Sequence, residues 1–561
     1  MKRMLGFLSI ALLVSSTASA VHFAPRSYSA NTSRGLVGWT QEINKFDMEK
    51  LYGSMSVQLG YGESFRPENI ASCLIGPGLK ACDDCSTLTI SGSRVANRNS
   101  STDWLADNFG LSTDFKSTVT FKPKVSHFIA DFNFFFGLDE WFQGGFLRID
   151  VPVVWERWKL NMKECNVTTG TNGYDAGYFT DAAVAATDLN QSFGSYMNGN
   201  VPTLGTGFTF APLSCCRITD CDTNCNDDGL TKTRVADLRI ILGWNFLRDE
   251  DYHLGLGLLY AAPTGNKPVT KYLFRPTVGN GNHHELGGFL TSHYTFWTSE
   301  DEEKSFGLYV DGFVTHMFKN CQTRCFDLKC KPNSRYMLAQ KIGSTRGTPR
   351  LANETTGGTA YAAAAQADAG VEFQNEYRPV ANLTTREVDV KINVQGDITA
   401  LFNYTNAGFG LDFGYNFWAR SCEKYDCAKT CKTDCNTTCS TSFAENTWAL
   451  KGDAHVIGFQ VTTDAAVRLA ATQKDATIFK GTNDFNGSGT ENKTNLTVAG
   501  ASLPNNLPTA NPGIDAPFLA AASAASYAAG IVNDRLSTDP LADQTFSSKE
   551  PITPSQERTA H

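Results

Sequence analysis

The chain has 561 residues, of which 41% are hydrophobic, with 48 Gly, 37 Phe, 16 Cys and a formal net charge of -8. A mildly acidic balance with no basic stripe excludes charge-driven nucleic-acid binding. Length alone allows two or three soluble domains, yet the sequence shows no linker composition and no repeat period of the solenoid or propeller kind.

Lys2 and Arg3 precede the apolar run Met4 to Val14, and Ala18-Ser19-Ala20 supplies a small-residue cleavage pattern. Residues 1–20 therefore read as a secretory signal peptide, with a mature chain starting at Val21 and a periplasmic N-terminal segment over 21–50. No later stretch reaches the roughly 20 apolar residues that a spanning helix needs. The nearest, Pro517 to Val532, is alanine-rich and broken by Ser and Gly. Any crossing of a membrane falls to strands.

The strands follow in order. Leu51 to Phe65 is the first. In the next, Phe128, Ala130, Phe132, Phe134 and Phe136 share one face and His127, Asp131 and Asn133 the other, the period of two that a pleated strand imposes. After a turn near 137–145, Leu147, Ile149, Val151 and Val153 alternate with Arg148 and Asp150, up to Trp155 and Trp158. Leu238, Ile240, Leu242, Trp244 and Phe246 alternate with Asp237, Arg239, Gly243 and Asn245. Beyond the turn 247–251, Tyr252, Leu254, Leu256, Leu258 and Tyr260 alternate with His253, Gly255 and Gly257.

A third hairpin runs from His284 to Phe318 around the acidic turn 298–305, with Glu285, His293 and Asp311 on its wet face. A fourth sets Glu387, Asp389, Lys391, Asn393, Gln395 and Asp397 against Val388, Val390, Ile392, Val394 and Ile398. It turns at Asn406-Ala407-Gly408 and returns through Phe409, Leu411, Phe413, Tyr415 and Phe417, with Asp412 and Trp418 on the same strand. Trp448 to Gln460, bearing Lys451, Asp453 and His455, and Val467 to Lys480 complete about eleven strands around a turn at 461–466.

Six charged or amide groups in a row on one strand face need water or partners, because burying each unpaired costs on the order of several kcal/mol. A soluble β-sandwich gives the same alternation with its polar face in solvent. Tall aliphatic bands, aromatic ends and the split between short and long connections favour the other reading: an all-β, antiparallel transmembrane β-barrel over 51–480.

On that reading the lumen is lined by His127, Asp131, Asn133, Arg148, Asp150, Asp237, Arg239, His253, Asp311, Glu387, Asp389, Lys391, Asn393, Asp397, Asp412, Lys451, Asp453 and His455. An aromatic girdle is expected from Trp155, Trp158, Trp244, Tyr252, Tyr260, Trp297, Trp418 and Trp448. Every short turn then lies on the periplasmic side. Eleven is an odd count for a single-chain bacterial barrel, so the polar segment 481–561 reads as a loop or tail, with closing strands expected after it.

All sixteen cysteines lie in the long segments between hairpins: Cys73, Cys82, Cys85, Cys165, Cys215, Cys216, Cys221, Cys225, Cys321, Cys325, Cys330, Cys422, Cys427, Cys431, Cys435 and Cys439. In an exported chain they read as disulfides within cysteine-rich extracellular loops, their pairing open. The run Cys427-x3-Cys431-x3-Cys435-x3-Cys439 could hold zinc, but it lacks a paired CxxC module and sits in an oxidising place. His283-His284-Glu285 has no third ligand at a recognisable spacing, and no GxSxG nucleophile motif occurs. No cofactor, metal or enzyme activity is expected. The alanine-rich stretches Ala360 to Ala369 and Ala520 to Ala529 favour short helices, over the rim or folded into the lumen.

The segment Asp103 to Leu111 (DWLADNFGL), then Asp131 to Glu140 (DFNFFFGLDE) and Leu258 to Asn266 (LLYAAPTGN), resembles outer-membrane proteins of the Dependentiae (TM6) group of intracellular bacteria. In general plan the chain is also similar to the chlamydial major outer membrane protein. The resemblance implies an abundant porin-like or envelope-structural barrel in the outer membrane, in contact with its lipids. As a porin it would pass small hydrophilic solutes or ions, with weak cation preference from its acidic excess. As a structural or adhesive protein it would work through its loops, cross-linked within the chain or to other copies.

Overall fold

The structure is a computed structural model that describes residues 23–45, 51–174, 184–200, 207, 229–301, 303–328, 331–343, 372–406, 408–427, 448–451, 454–460, 466–472, 476–481, 497–498 and 501–502. It is mostly antiparallel β. Its centre is one curled sheet, a half-barrel, in which nine strands follow each other in chain order: β1 Tyr52–Glu63, β2 Lys124–Gly137, β3 Gly145–Lys159, β4 Leu238–Arg248, β5 Tyr252–Ala262, β6 Glu285–Thr298, β7 Lys304–Cys325, β8 Thr385–Asn406 and β9 Phe409–Arg420. The short strands Leu230–Val235 and Glu423–Cys427 are appended to β3 and β8, making eleven strands in the sheet.

Each hairpin is closed by local chemistry. In the turn after β2, Asp139 Oδ1 accepts from Gly144 N at 2.9 Å and pairs with Arg248. Asp249 N donates to Tyr252 O at 2.7 Å between β4 and β5. Gly408 adopts φ +91° between β8 and β9, a backbone region that side chains with a Cβ avoid. All these turns lie at one end of the sheet, the turn end.

The last two expected wall strands are placed elsewhere. Trp448–Leu450 joins Leu338–Gly343 and Glu372–Pro379 in a separate three-stranded sheet, and Ala454–Gln460 pairs with Ala466–Thr472 in a two-stranded sheet of its own, whose second strand lies against Glu372–Pro379. Their alternation matched a wall strand, but alternation does not specify a partner.

The polar row on β8 is also broken. Thr315 faces Gln395 and Met317 faces Ile392, so two steps on β7 match three on β8. The extra residue reverses the parity of β8. Val388, Val390 and Ile392, all buried, therefore continue the row of Gln395, Asp397 and Thr399 in place of Glu387, Asp389 and Lys391.

At the end opposite the turns, the long connections fold into a head. The strands Lys80–Cys82, Cys85–Ser91, Trp104–Leu105, Lys116–Phe121 and Met162–Thr168 form one of its sheets. The helix Pro67–Leu74 lies over it, with Pro67 in the first turn and Ile70, Ala71 and Leu74 on its buried face. Trp104, Phe109, Phe115, Phe121, Tyr196, Tyr336 and Tyr377 fill a hydrophobic core that continues into the wall through Trp158.

Cysteines consequently occur within regular elements, contrary to the loop-only expectation. Cys73 is in the helix; Cys82, Cys85 and Cys165 are in head strands; Cys321 and Cys325 end β7; and Cys427 ends the strand appended to β8.

Candidate functional site: the interior of the β-wall

The two faces of the wall have inverted polarity. Its outward face is apolar and exposed: Leu59 is 70% exposed, Leu242 58%, Leu258 59% and Phe413 77%, with Met55, Leu256, Val314, Leu411 and Tyr415 alike. Its inward face buries Asp131, Asn133, Arg148, Arg239, His253, Glu285, Asp311 and Asp397. A protein folding in water does the reverse.

The buried charges answer one another. Arg148 Nη1 donates to Asp311 Oδ2 at 3.1 Å and its Nε to Asp150 Oδ1 at 3.2 Å. Arg239 Nη2 donates to Glu285 Oε2 at 3.1 Å, and its guanidinium lies 4.3 Å from the Phe313 ring centre. Glu285 Oε1 also accepts from Asn280 Nδ2 at 2.7 Å. Small residues make room: a Cβ on Gly243 would strike the Phe146 ring, and one on Gly255 the Asn245 amide.

The interior also holds what the alternation did not reveal. Phe135, Phe146, Ile241, Leu259, Phe289, Phe313, Leu401 and Trp418, one from each strand β2 to β9, form an inward apolar ring. Residues 23–45 run through this interior, whereas the sequence reading put 21–50 below the wall. Phe23 packs on Trp158 and Phe274 at the head end, and Lys45 N donates to Tyr52 Oη at the turn end.

Between these ends Arg26 pairs with Asp397, and Arg34 Nε with Asp131 Oδ2 at 2.7 Å. Ser27 Oγ and Ser29 Oγ donate to Asp237 Oδ2 at 2.8 and 3.1 Å. Thr32 N donates to Asp397 Oδ1 at 2.8 Å. Leu36 and Trp39 sit in the apolar ring, with the Arg148 guanidinium 5.7 Å from the Trp39 ring centre. Beside the segment, a cavity of about 20 Å³ lined by Asp131, Arg148, Arg239 and Phe289 remains. That is room for a water molecule.

The expected lumen residues divide accordingly. His127, Asp131, Asn133, Arg148, Asp150, Arg239, His253, Asp311, Asp397 and Asp412 lie on the inward rows of β2 to β9, and Asp237 is buried just before β4. Glu387 is exposed, Asn393 half-buried at the parity reversal, and beyond it Asp389 is buried and Lys391 half-buried, both off the row that Val388, Val390 and Ile392 continue. Lys451 is buried in the head against the Tyr174 ring. His455 is on the hairpin of Ala454–Gln460 and Ala466–Thr472, and Asp453 lies outside the described residues.

Of the expected girdle, Trp244, Tyr252 and Trp297 are exposed near the turn end and Tyr260 near the head end; Trp155 is half-buried on the outward row. Trp158, Trp418 and Trp448 are buried, the first two inward and the third in the head. Trp141 and Phe142, exposed in the turn after β2, were missed.

Cys82 and Cys85 are disulfide-bonded across a tight turn, and Cys165 and Cys321 are also half-cystines. Cys325 is a buried thiol and Cys422 an exposed one. Cys215, Cys216, Cys221, Cys225, Cys330, Cys431, Cys435 and Cys439, both alanine-rich stretches and the signal peptide lie outside the described residues. His283 bonds Phe318 O and Gln322, His284 bonds Tyr260, and Glu285 bonds Arg239, so these three point to different partners. Among the described residues no three His, Cys, Asp or Glu side chains converge as a metal site would require.

Comparison with known proteins finds no family model that matches the chain and no curated protein that matches it.

Proposed function

We propose that the chain spans an outer membrane as a β-barrel wall and serves as a porin-like conduit for small hydrophilic solutes and ions. One observation carries the reading: exposed aliphatic and aromatic side chains cover the outside of the sheet while ion pairs fill its inside. Lipid rewards the first, and the second would be wasteful in a protein that had water outside. The chemistry needed is only a polar path, with carboxylates and guanidiniums replacing part of an ion's hydration.

The test is single-channel conductance of the purified protein in a planar bilayer, with and without reductant, beside heat-modifiable migration on gels. Discrete ion-selective steps support the conduit. A protein that stays in water without detergent and never inserts refutes it.

A structural or adhesive role is the second reading. The folded head with its own core and half-cystines favours it. Non-reducing gels of the native envelope that show only monomer would remove its intermolecular form.

A further inference from the structure

We infer that residues 23–45 are an intramolecular plug, that Arg26 and Arg34 set both the closure and the ion selectivity of the pore, and that releasing the plug opens a cation-selective path. The inference rests on the conduit reading above. It deepens that reading by naming which residues close the conduit.

The wall is not electrostatically self-sufficient. Its own arginines serve Asp311, Asp150 and Glu285. Asp131 and Asp397 take their cation from the plug, through Arg34 and Arg26. Asp237 accepts from Ser27 and Ser29, and Asp412 Oδ2 accepts from Gly38 N at 2.8 Å. Withdrawing the segment leaves the three wall carboxylates Asp131, Asp397 and Asp412 facing water, with Asp237 at the foot of β4 keeping only its bond from Asn280 N, a lining that attracts cations.

The segment is fastened in two ways. Leu36 and Trp39 fill the apolar ring, and the ion pairs hold the half nearer the head. Gly35 allows the close approach, since a Cβ there would overlap the Arg148 guanidinium. Breaking one side of such a pair leaves a buried carboxylate without its cation, so the ion pairs decide whether the segment stays while the ring positions it.

The experiment compares the wild type with Arg34→Asp, Asp131→Arg and the charge-swapped pair Arg34→Asp/Asp131→Arg, in planar bilayers with KCl and in liposomes swelling in a pentose. Each single change should raise the open fraction about tenfold, and the swap should return it toward wild type. A second variant, Arg26→Gln/Arg34→Gln, should raise the preference for potassium over chloride. Equal conductance and selectivity in all variants overturns the proposal.

Amide hydrogen exchange of residues 23–45 separates the two readings. Protection in the wild type that is lost in Arg34→Asp, without conduction in any variant, sustains the plug and overturns the conduit. Full wild-type conduction with fast exchange over 23–45 overturns the plug and sustains the conduit.

Discussion

Leu258 offers the sharpest test of what surrounds the wall. It lies near the midpoint of the eleven-residue β5, opposite Leu242 on one side and Gly288 on the other, and is 59% exposed. If water surrounds it, Leu258→Arg changes stability by no more than about 0.5 kcal/mol, as exposed substitutions do. If lipid surrounds it, an arginine at mid-depth costs about 2–4 kcal/mol. At 1.4 kcal/mol per factor of ten, that lowers the folded ratio by about 30-fold to about 700-fold.

The cost should also depend on depth. Tyr252→Arg, at the turn end of the same strand, should cost only about 0–1 kcal/mol. The assay is reversible urea unfolding from lipid vesicles, followed by tryptophan fluorescence and compared by the shift in midpoint at constant slope. A flat profile, with both variants within about 0.5 kcal/mol of wild type, would refute the membrane reading of the outward face.

Other predictions concern the head. Arg335 Nη2 lies 3.0 Å from Asp327 Oδ2, both nearly fully buried, so Arg335→Met leaves a buried carboxylate without its cation and should destabilise the head by about 3–5 kcal/mol. Calorimetry that shows an unshifted head transition would count against that packing. Burial lowers the Lys451 ammonium from 10.5 to about 8, with Asp107 opposing. The unfolded chain then holds a proton that the folded one has lost between pH 8 and pH 10.5, so head stability should rise with pH across that window. Lys451→Met should remove the rise and add on the order of 2–3 kcal/mol at pH 7, read by melting across pH. Replacing Cys82 and Cys85 by Ser opens a very short loop and should cost roughly 2 kcal/mol, with hairpin exchange in the head as the readout and the wall unaffected.

The nine wall strands were legible because each carries its own period of two and eight of them are paired in hairpins by short turns that leave no choice of neighbour. Asn406-Ala407-Gly408 fixes the β8 to β9 register from residues adjacent in the chain. The β8 row was misread because a bulge leaves no mark in an alternating pattern: Val388, Val390 and Ile392 alternate with polar residues as well as Val394 and Ile398 do, and only pairing with β7 shows the slip. Trp158 and Trp418 were misplaced for a related reason. An aromatic near a strand end suits a headgroup zone or a core equally, and parity decides.

The sequence by itself determined an antiparallel β-wall with one apolar and one charged face and its hairpins, because these depend on neighbours within one or two hairpins. Only the tertiary structure decided that residues 23–45 occupy the interior, that the long connections pack into a head, and that strands after 448 leave the wall. Those outcomes rest on contacts such as Arg26 with Asp397, 371 residues apart, or Arg34 with Asp131. A segment without periodicity carries no local sign of its partner, and the match exists only once the wall has curled to bring its carboxylates around it.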